Sequence, residues 1–133
     1  LLLGCEFNQG IFDLSDNLSH FKKLVISGGN ELEIKSVFKF KKIDKFFNDG
    51  IYGNPLSKIE IFSYLLKKQI ITKPAIYIGD SMYDWEVASQ FGLDFLFFSP
   101  WTDLKSWKVF CNKNHINHFQ HFNELENYIS LKK

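Results

Sequence analysis

Asp80 and Asp84 stand four residues apart, directly after an apolar run from Ala75 to Ile78 that stops at Gly79. A short apolar run closed by glycine reads as a buried strand, and an amphipathic segment follows it. Acids delivered by such a strand reach the C-terminal edge of an open α/β sheet, where ligands bind, and they suit a hard cation such as Mg2+. Earlier in the chain, Leu24-Val25-Ile26 is closed by Ser27-Gly28-Gly29. A small hydroxyl followed by glycines lets backbone N–H groups approach a phosphoryl oxygen. Lys58 lies between these stretches, at a helix start, and its charge can neutralise the charge that develops during phosphoryl transfer. Ser27, Lys58 and the Asp80/Asp84 pair thus fall on successive loops or helix starts that can converge on one crevice, with the acids holding a metal that bridges the phosphoryl group.

Each of these residues also has a plain structural use. Asp84 follows Ser81 by three positions, so it can complete a Ser-x-x-Asp box at a helix N-terminus and favour the helix dipole, and this role is compatible with metal ligation or orientation. Lys58 could be a solvated first-turn lysine, but a cation beside the positive end of a helix is disfavoured, which points to a functional reason for it. Ser27 could simply close a strand.

The positioning elements follow from periodicity. Asn30 can cap a helix over about residues 31 to 40 whose core face would hold Leu32, Ile34, Val37 and Phe38. Asn48-Asp49-Gly50 is a turn, followed by an extended piece from Ile51 to Asn54. Ser57-Lys58-Ile59-Glu60 has the form of a capping box, with Ile59, Phe62, Leu65 and Leu66 as the apolar stripe of a helix running to Lys68. Ser81 opens a further helix to about Phe91, Gly92 ends it, and Phe95 to Phe98 is a strand closed by Ser99-Pro100. Beyond Trp101 the pattern weakens, with a last helix expected from about Asn123 to Leu131. Strands alternating with helices argue for a parallel sheet covered on both faces.

Composition narrows the function classes. The 133 residues are 45% hydrophobic, which fits one folded domain with a sizeable core. Aromatic residues make up 17% and are spread along the chain, as in core packing rather than a base-stacking platform. A net charge of +1 gives no basic field for nucleic acid, and no apolar run is long enough to span a membrane. The expected partner is a small molecule, and a cytoplasmic setting fits, since Cys5 and Cys111 are too few for a disulfide framework. All 16 basic residues are lysines, so any anion must be held by lysine and backbone N–H groups. Cys111, His115, His118 and His121 are close in sequence, but their spacing matches no standard zinc finger, and a solvated surface stretch is the expectation. Met82 is the sole methionine, so Leu1 is not an ordinary translation start and a piece of a longer protein is expected.

Taken together, the motifs resemble the haloacid dehalogenase-like (HAD) superfamily, in particular its phosphoglycolate phosphatase and β-phosphoglucomutase branch. Leu24-Val25-Ile26-Ser27-Gly28 is similar to the second motif, a strand ending in Ser or Thr that hydrogen-bonds the phosphoryl group. Lys58 matches the third-motif lysine that stabilises the phospho-intermediate. Gly79-Asp80-Ser81-Met82-Tyr83-Asp84 resembles the fourth motif, whose acids bind or orient Mg2+. The resemblance spans roughly residues 24 to 99 and implies a Mg2+-dependent phosphatase acting on a small phosphorylated metabolite through an aspartyl-phosphate. Its catalytic residues would include Ser27 and Lys58, its phosphate-binding residues Ser27, Gly28 and Lys58, and its metal residues Asp80 and Asp84.

The first motif of that family, Asp-x-Asp on an apolar strand, supplies the nucleophile and does not occur in this sequence. Asp13 and Asp16 are one residue too far apart, no apolar strand precedes them, and only fourteen residues separate Asp13 from Ser27. The resemblance therefore implies a three-layer, Rossmann-like parallel sheet with helices on both faces that is incomplete, lacking its central first-motif strand and most of any cap. Residues 1–22 would be an N-terminal helical or linker segment, a possible cap remnant, and residues 23–133 the C-terminal part of the core. The nucleophile is expected upstream, and the isolated chain is expected to be poorly stable and inactive. The competing expectation is a catalytically degenerate HAD-like domain that serves as a binding module.

Overall fold

The computed structural model describes residues 23–40, 47, 50–121 and 124. The chain divides into two compact units, Leu1–Ile71 and Thr72–Lys133. In the first unit, strand β1 (Val25–Asn30) leads into helix α1 (Glu31–Phe40), and strand β2 (Ile51–Asn54) leads into helix α2 (Lys58–Lys67). β1 and β2 form a parallel pair, with Val25 opposite Ile51 and Ile26 opposite Tyr52. The register then shifts, and pairing resumes with Asn30 opposite Asn54. Ser27, Gly28 and Gly29 thus oppose Gly53 alone, a bulge of the kind that re-aims side chains beside active sites.

Local chemistry starts both helices. Asn30 Oδ1 accepts from the Glu33 N–H at 3.1 Å. Ser57 Oγ accepts from the Glu60 N–H while the Glu60 carboxylate accepts from the Ser57 N–H, a complete capping box. The α1 core face differs in part from expectation. Ile34 and Phe38 are buried against Ile51, Val25 and Phe47, whereas Leu32 is 73% exposed. At 100° per residue Leu32 lies about 200° around the helix from Ile34, so one stripe cannot hold both. The α2 stripe is likewise rotated: Ile61, Phe62 and Leu65 are buried and Ile59 is exposed.

In the second unit, strand β3 (Ile76–Gly79) is followed by helix α3 (Met82–Phe91), strand β4 (Asp94–Phe98), a short 3-10 turn at Ser99–Trp101, helix α4 (Trp107–Lys113) and strand β5 (Asn117–Phe119). The strands form a parallel sheet in the order β3-β4-β5, with Gly79 opposite Phe97 and Phe98 opposite Phe119. Its core is aromatic. Phe97, Phe110 and Cys111 are buried, with Trp85, Phe95, Leu104, Trp107 and Ile116 packed on them. Trp107 stacks on Phe97 at 6.0 Å, and Trp85 meets Phe110 edge-on at 5.6 Å.

The fold class expected from the sequence is present: parallel sheets with connecting helices, α/β and Rossmann-like. Among the described residues the strands form two sheets rather than one, with β1 paired to β2 and β3 paired to β4. α4 and β5 were not anticipated. The helix is seven residues long and the strand three, too short for periodicity to declare them. The segment expected at residues 1–22 lies outside the described residues, as does the helix expected over residues 123–131 apart from Glu124. No helix among the described residues is long and apolar enough to cross a membrane.

α3 ends as its sequence implies, with Gly92 in the left-handed region at φ 68° and its N–H bonded to Ala88 and Ser89 carbonyls. A Cβ at Gly92 would also come within 2.9 Å of Lys73 Nζ. Gly92→Ala should therefore lower the unfolding free energy by about 1–2 kcal/mol, read as a shift of the urea midpoint at constant m-value.

Candidate active site

In the first unit, the bulge opposite Gly53 brings the Ser27–Gly29 stretch of β1 and the lysine together. Ser27 Oγ accepts the Gly29 N–H at 3.1 Å, which leaves the hydroxyl hydrogen to donate to an anionic oxygen. The Lys58 side chain passes Gly28, its Cε 4.0 Å from where a Cβ on Gly28 would stand. Lys58 is the first residue of α2, so its ammonium group adds to the positive end of that helix. The result suits an anion: a hydroxyl, a glycine-lined backbone, a helix N-terminus and a lysine.

Two contacts that the sequence did not disclose fasten this arrangement. The Asn54 side-chain amide donates to the Gly28 carbonyl. The Gly53 N–H donates to Glu31 Oε1 at 3.3 Å, and Glu31 Oε2 accepts from Lys35 Nζ at 3.1 Å. These bonds span 26 and 22 residues, so no local pattern announces them. Gly53 itself is required by space, since a Cβ there would lie 2.5 Å from the Gly29 carbonyl oxygen.

In the second unit, Asp80 follows β3 and is half-buried, and Asp84 sits in the first turn of α3 at 3% exposure. Both oxygens of Asp84 are engaged. Oδ1 accepts from the Tyr77 hydroxyl at 2.9 Å, and Oδ2 accepts from the Asp80 N–H at 3.2 Å. The Asp84 N–H in turn donates to Ser81 Oγ at 3.1 Å, so Ser81 is the expected N-cap. The carboxylate lies over Gly79, where a Cβ would meet Asp84 Oδ2 at 2.7 Å. Tyr77 was not foreseen. Its link to Asp84 crosses from strand to helix, so the periodicity of neither element announces it. Burial, the Asp84 charge and its hydrogen bond, and then the Asp80 charge, all push the Tyr77 phenol up.

Carboxylate oxygens such as these suit a hard divalent cation. Oxygen donors suit Mg2+, which keeps several waters and takes one or two carboxylates along with phosphate oxygens from a substrate. No group of three or more His, Cys, Asp and Glu side chains suited to a metal occurs among the described residues, so a cation held wholly by such ligands is not what these acids offer. Asp84 is enclosed and doubly hydrogen-bonded, a geometry that orients its neighbour, whereas Asp80 stands at the strand end itself.

The stretch from Cys111 to His121 is not uniformly solvated. Cys111, on the inner face of α4, is fully buried with Phe97 and Phe110, and burial pushes its thiol up, away from thiolate chemistry. His115 and His118 are exposed, and His118 lies edge-on to Trp107 at 5.0 Å. The thiol turned inward because Phe110 and Cys111 form the buried face of α4.

No protein-family model matches the sequence, and neither does any curated protein. Two solved structures share the fold. A HAD-superfamily hydrolase from Ehrlichia chaffeensis is similar with a TM-score of 0.70 and 20% identity, over 95% of this chain and 58% of that one. A protein from Lactobacillus delbrueckii subsp. bulgaricus, assigned as a phosphoglycolate phosphatase, is similar with a TM-score of 0.72 and 22% identity, over 91% of this chain and 52% of that one. The chain therefore spans between 52% and 58% of the length of these proteins.

The Tyr77 environment sets a pH dependence. The folded phenol is raised above its ordinary value of 10.0, so as pH climbs the unfolded chain loses this proton first. The stabilisation is full below that pH and is lost above it, by up to about 1.4 kcal/mol per pH unit. Urea titrations from about pH 9 to pH 11 should show this extra loss in the wild-type protein and not in Tyr77→Phe.

Proposed function

We propose that the chain is part of a HAD-type, Mg2+-dependent phosphatase that hydrolyses a small phosphorylated metabolite through an aspartyl-phosphate. The observation that carries this reading is the Lys58 side chain running past Gly28, the residue next to Ser27 in the same bulge. A phosphoryl group needs such a cradle, because its transfer is governed by positioning and charge stabilisation rather than by covalent work from the protein. The fold shared with the Ehrlichia and Lactobacillus proteins supports the same reading.

In this reading Ser27 donates its hydroxyl to an equatorial oxygen, backbone N–H groups of the glycine loop hold a second, and Lys58 screens the charge that builds on the phosphoryl group. Asp80 would hold the cation and Asp84 would fix the Asp80 loop. When bound, Mg2+ supplies Lewis-acid polarisation of the phosphoryl oxygens. On this reading the nucleophilic aspartate would be supplied by residues other than those of this sequence, which holds no Asp-x-Asp. A phosphomutase built on the same residues is a close variant, because the cradle serves either acceptor.

A second reading is favoured by the lack of any Asp-x-Asp in the sequence: a degenerate domain that binds a phosphorylated ligand without turnover. The two separate on the complete polypeptide that carries these residues. A screen of phosphate monoesters should give Mg2+-dependent release of inorganic phosphate. Asp80→Asn should abolish it, and Lys58→Ala should lower kcat by about 10²- to 10³-fold. Absence of turnover across the panel, or unchanged turnover in Asp80→Asn, would sink the phosphatase reading.

A further inference from the structure

We infer that Tyr77 is a positioning residue for the cation ligand, acting through Asp84 on the backbone and hence the carboxylate of Asp80. The inference rests on the reading of Asp80 as that ligand. Tyr77 and Gly79 are two residues apart on β3 and so face the same side of the strand. Gly79 leaves that side open at the strand end, and the Asp84 carboxylate fills the opening. The tyrosine ring, lying along the same side, reaches this carboxylate with its hydroxyl.

The contacts then form one line. The Tyr77 O–H donates to one oxygen of Asp84, and the other oxygen accepts the N–H of Asp80. A carboxylate with one rotatable plane and two committed oxygens cannot turn without releasing one of them. The hydroxyl therefore fixes the plane of Asp84, and that plane fixes where the Asp80 backbone sits. The ring is itself braced, with Phe95 of the neighbouring strand edge-on to it at 6.0 Å. At 3% exposure, Asp84 has little access to water that could replace a lost donor. Groups that orient a metal ligand from behind matter nearly as much as the ligand, with removal costing about 10- to 100-fold in affinity.

Tyr77→Phe is the decisive variant, because it keeps the ring and the Phe95 contact and removes only the hydroxyl. Binding of Mn2+ alone, as a spectroscopic stand-in for Mg2+, would be followed by electron paramagnetic resonance on the complete polypeptide. Competition with Mg2+ and a thermal melt of each variant complete the set. Asp80→Asn serves as the ligand control, and Phe119→Leu on β5 as a control that loosens the same unit far along the sheet. The expected result is a Kd for Mn2+ raised about tenfold or more in Tyr77→Phe, with binding lost in Asp80→Asn and unchanged in Phe119→Leu. A rise of less than about threefold in Tyr77→Phe, with binding still lost in Asp80→Asn, overturns the role of Tyr77 and leaves the cation reading intact. An equal rise in Phe119→Leu also overturns it, since general loosening would then account for the effect. Unchanged binding in Asp80→Asn overturns the cation reading and the inference with it.

Discussion

An ionisable side chain at 3% exposure has to be satisfied from within, and the second unit is organised around satisfying Asp84. A buried charge without partners costs several kcal/mol, so every neighbour of this carboxylate is constrained by it. Gly79 must lack a side chain, Tyr77 must present its hydroxyl, and the Asp80 N–H must turn inward. Ser81 closes the start of α3 so that the acid stands in the first turn, where the helix dipole favours it. β3, the loop and α3 are thereby tied together at the end of the sheet from which Asp80 projects.

The first unit solves a different problem with different means. Its loop carries no buried charge; it is shaped by close backbone approach at Gly53 and by the reach of Asn54 and Glu31. The cost of leaving regular pairing at Ser27, Gly28 and Gly29 is met by hydrogen bonds back to the bulge. The Glu31–Lys35 pair, largely at the surface, adds little beyond orienting the carboxylate. Backbone geometry thus presents the hydroxyl, and a helix start presents the lysine.

What could be read from the sequence follows the range of the interaction. The caps at Asn30, Ser57 and Ser81 and the stop at Gly92 were legible, because each is decided within three or four residues. The strand before Asp80 was legible as an apolar run closed by glycine; the start of β1 was legible too, but not its continuation through Ser27, Gly28 and Gly29 to Asn30, which a bulge makes possible. Which face each helix buries was legible only in part, as Leu32 and Ile59 show, because α1 and α2 carry apolar residues on more than one side. Tyr77, Glu31 and Asn54 were hidden, since each meets its partner only once the chain has folded back. Cys111 was misjudged for the same reason: seven helical residues gave no period from which its inward turn could be seen.

The three residues of β1 that oppose Gly53 alone carry a consequence for inheritance. A register is held here by fit rather than by a favourable side-chain pair, and sliding β1 by one residue would send each of its side chains to the other face. A substitution that adds bulk at Gly53 strikes the Gly29 carbonyl, and one that straightens the bulge removes the room that Gly53 occupies. Change at either place is tolerable only when the other changes with it. The serine loop and the turn ahead of Lys58 should therefore vary as one block among descendants of this sequence, whatever molecule they have come to hold.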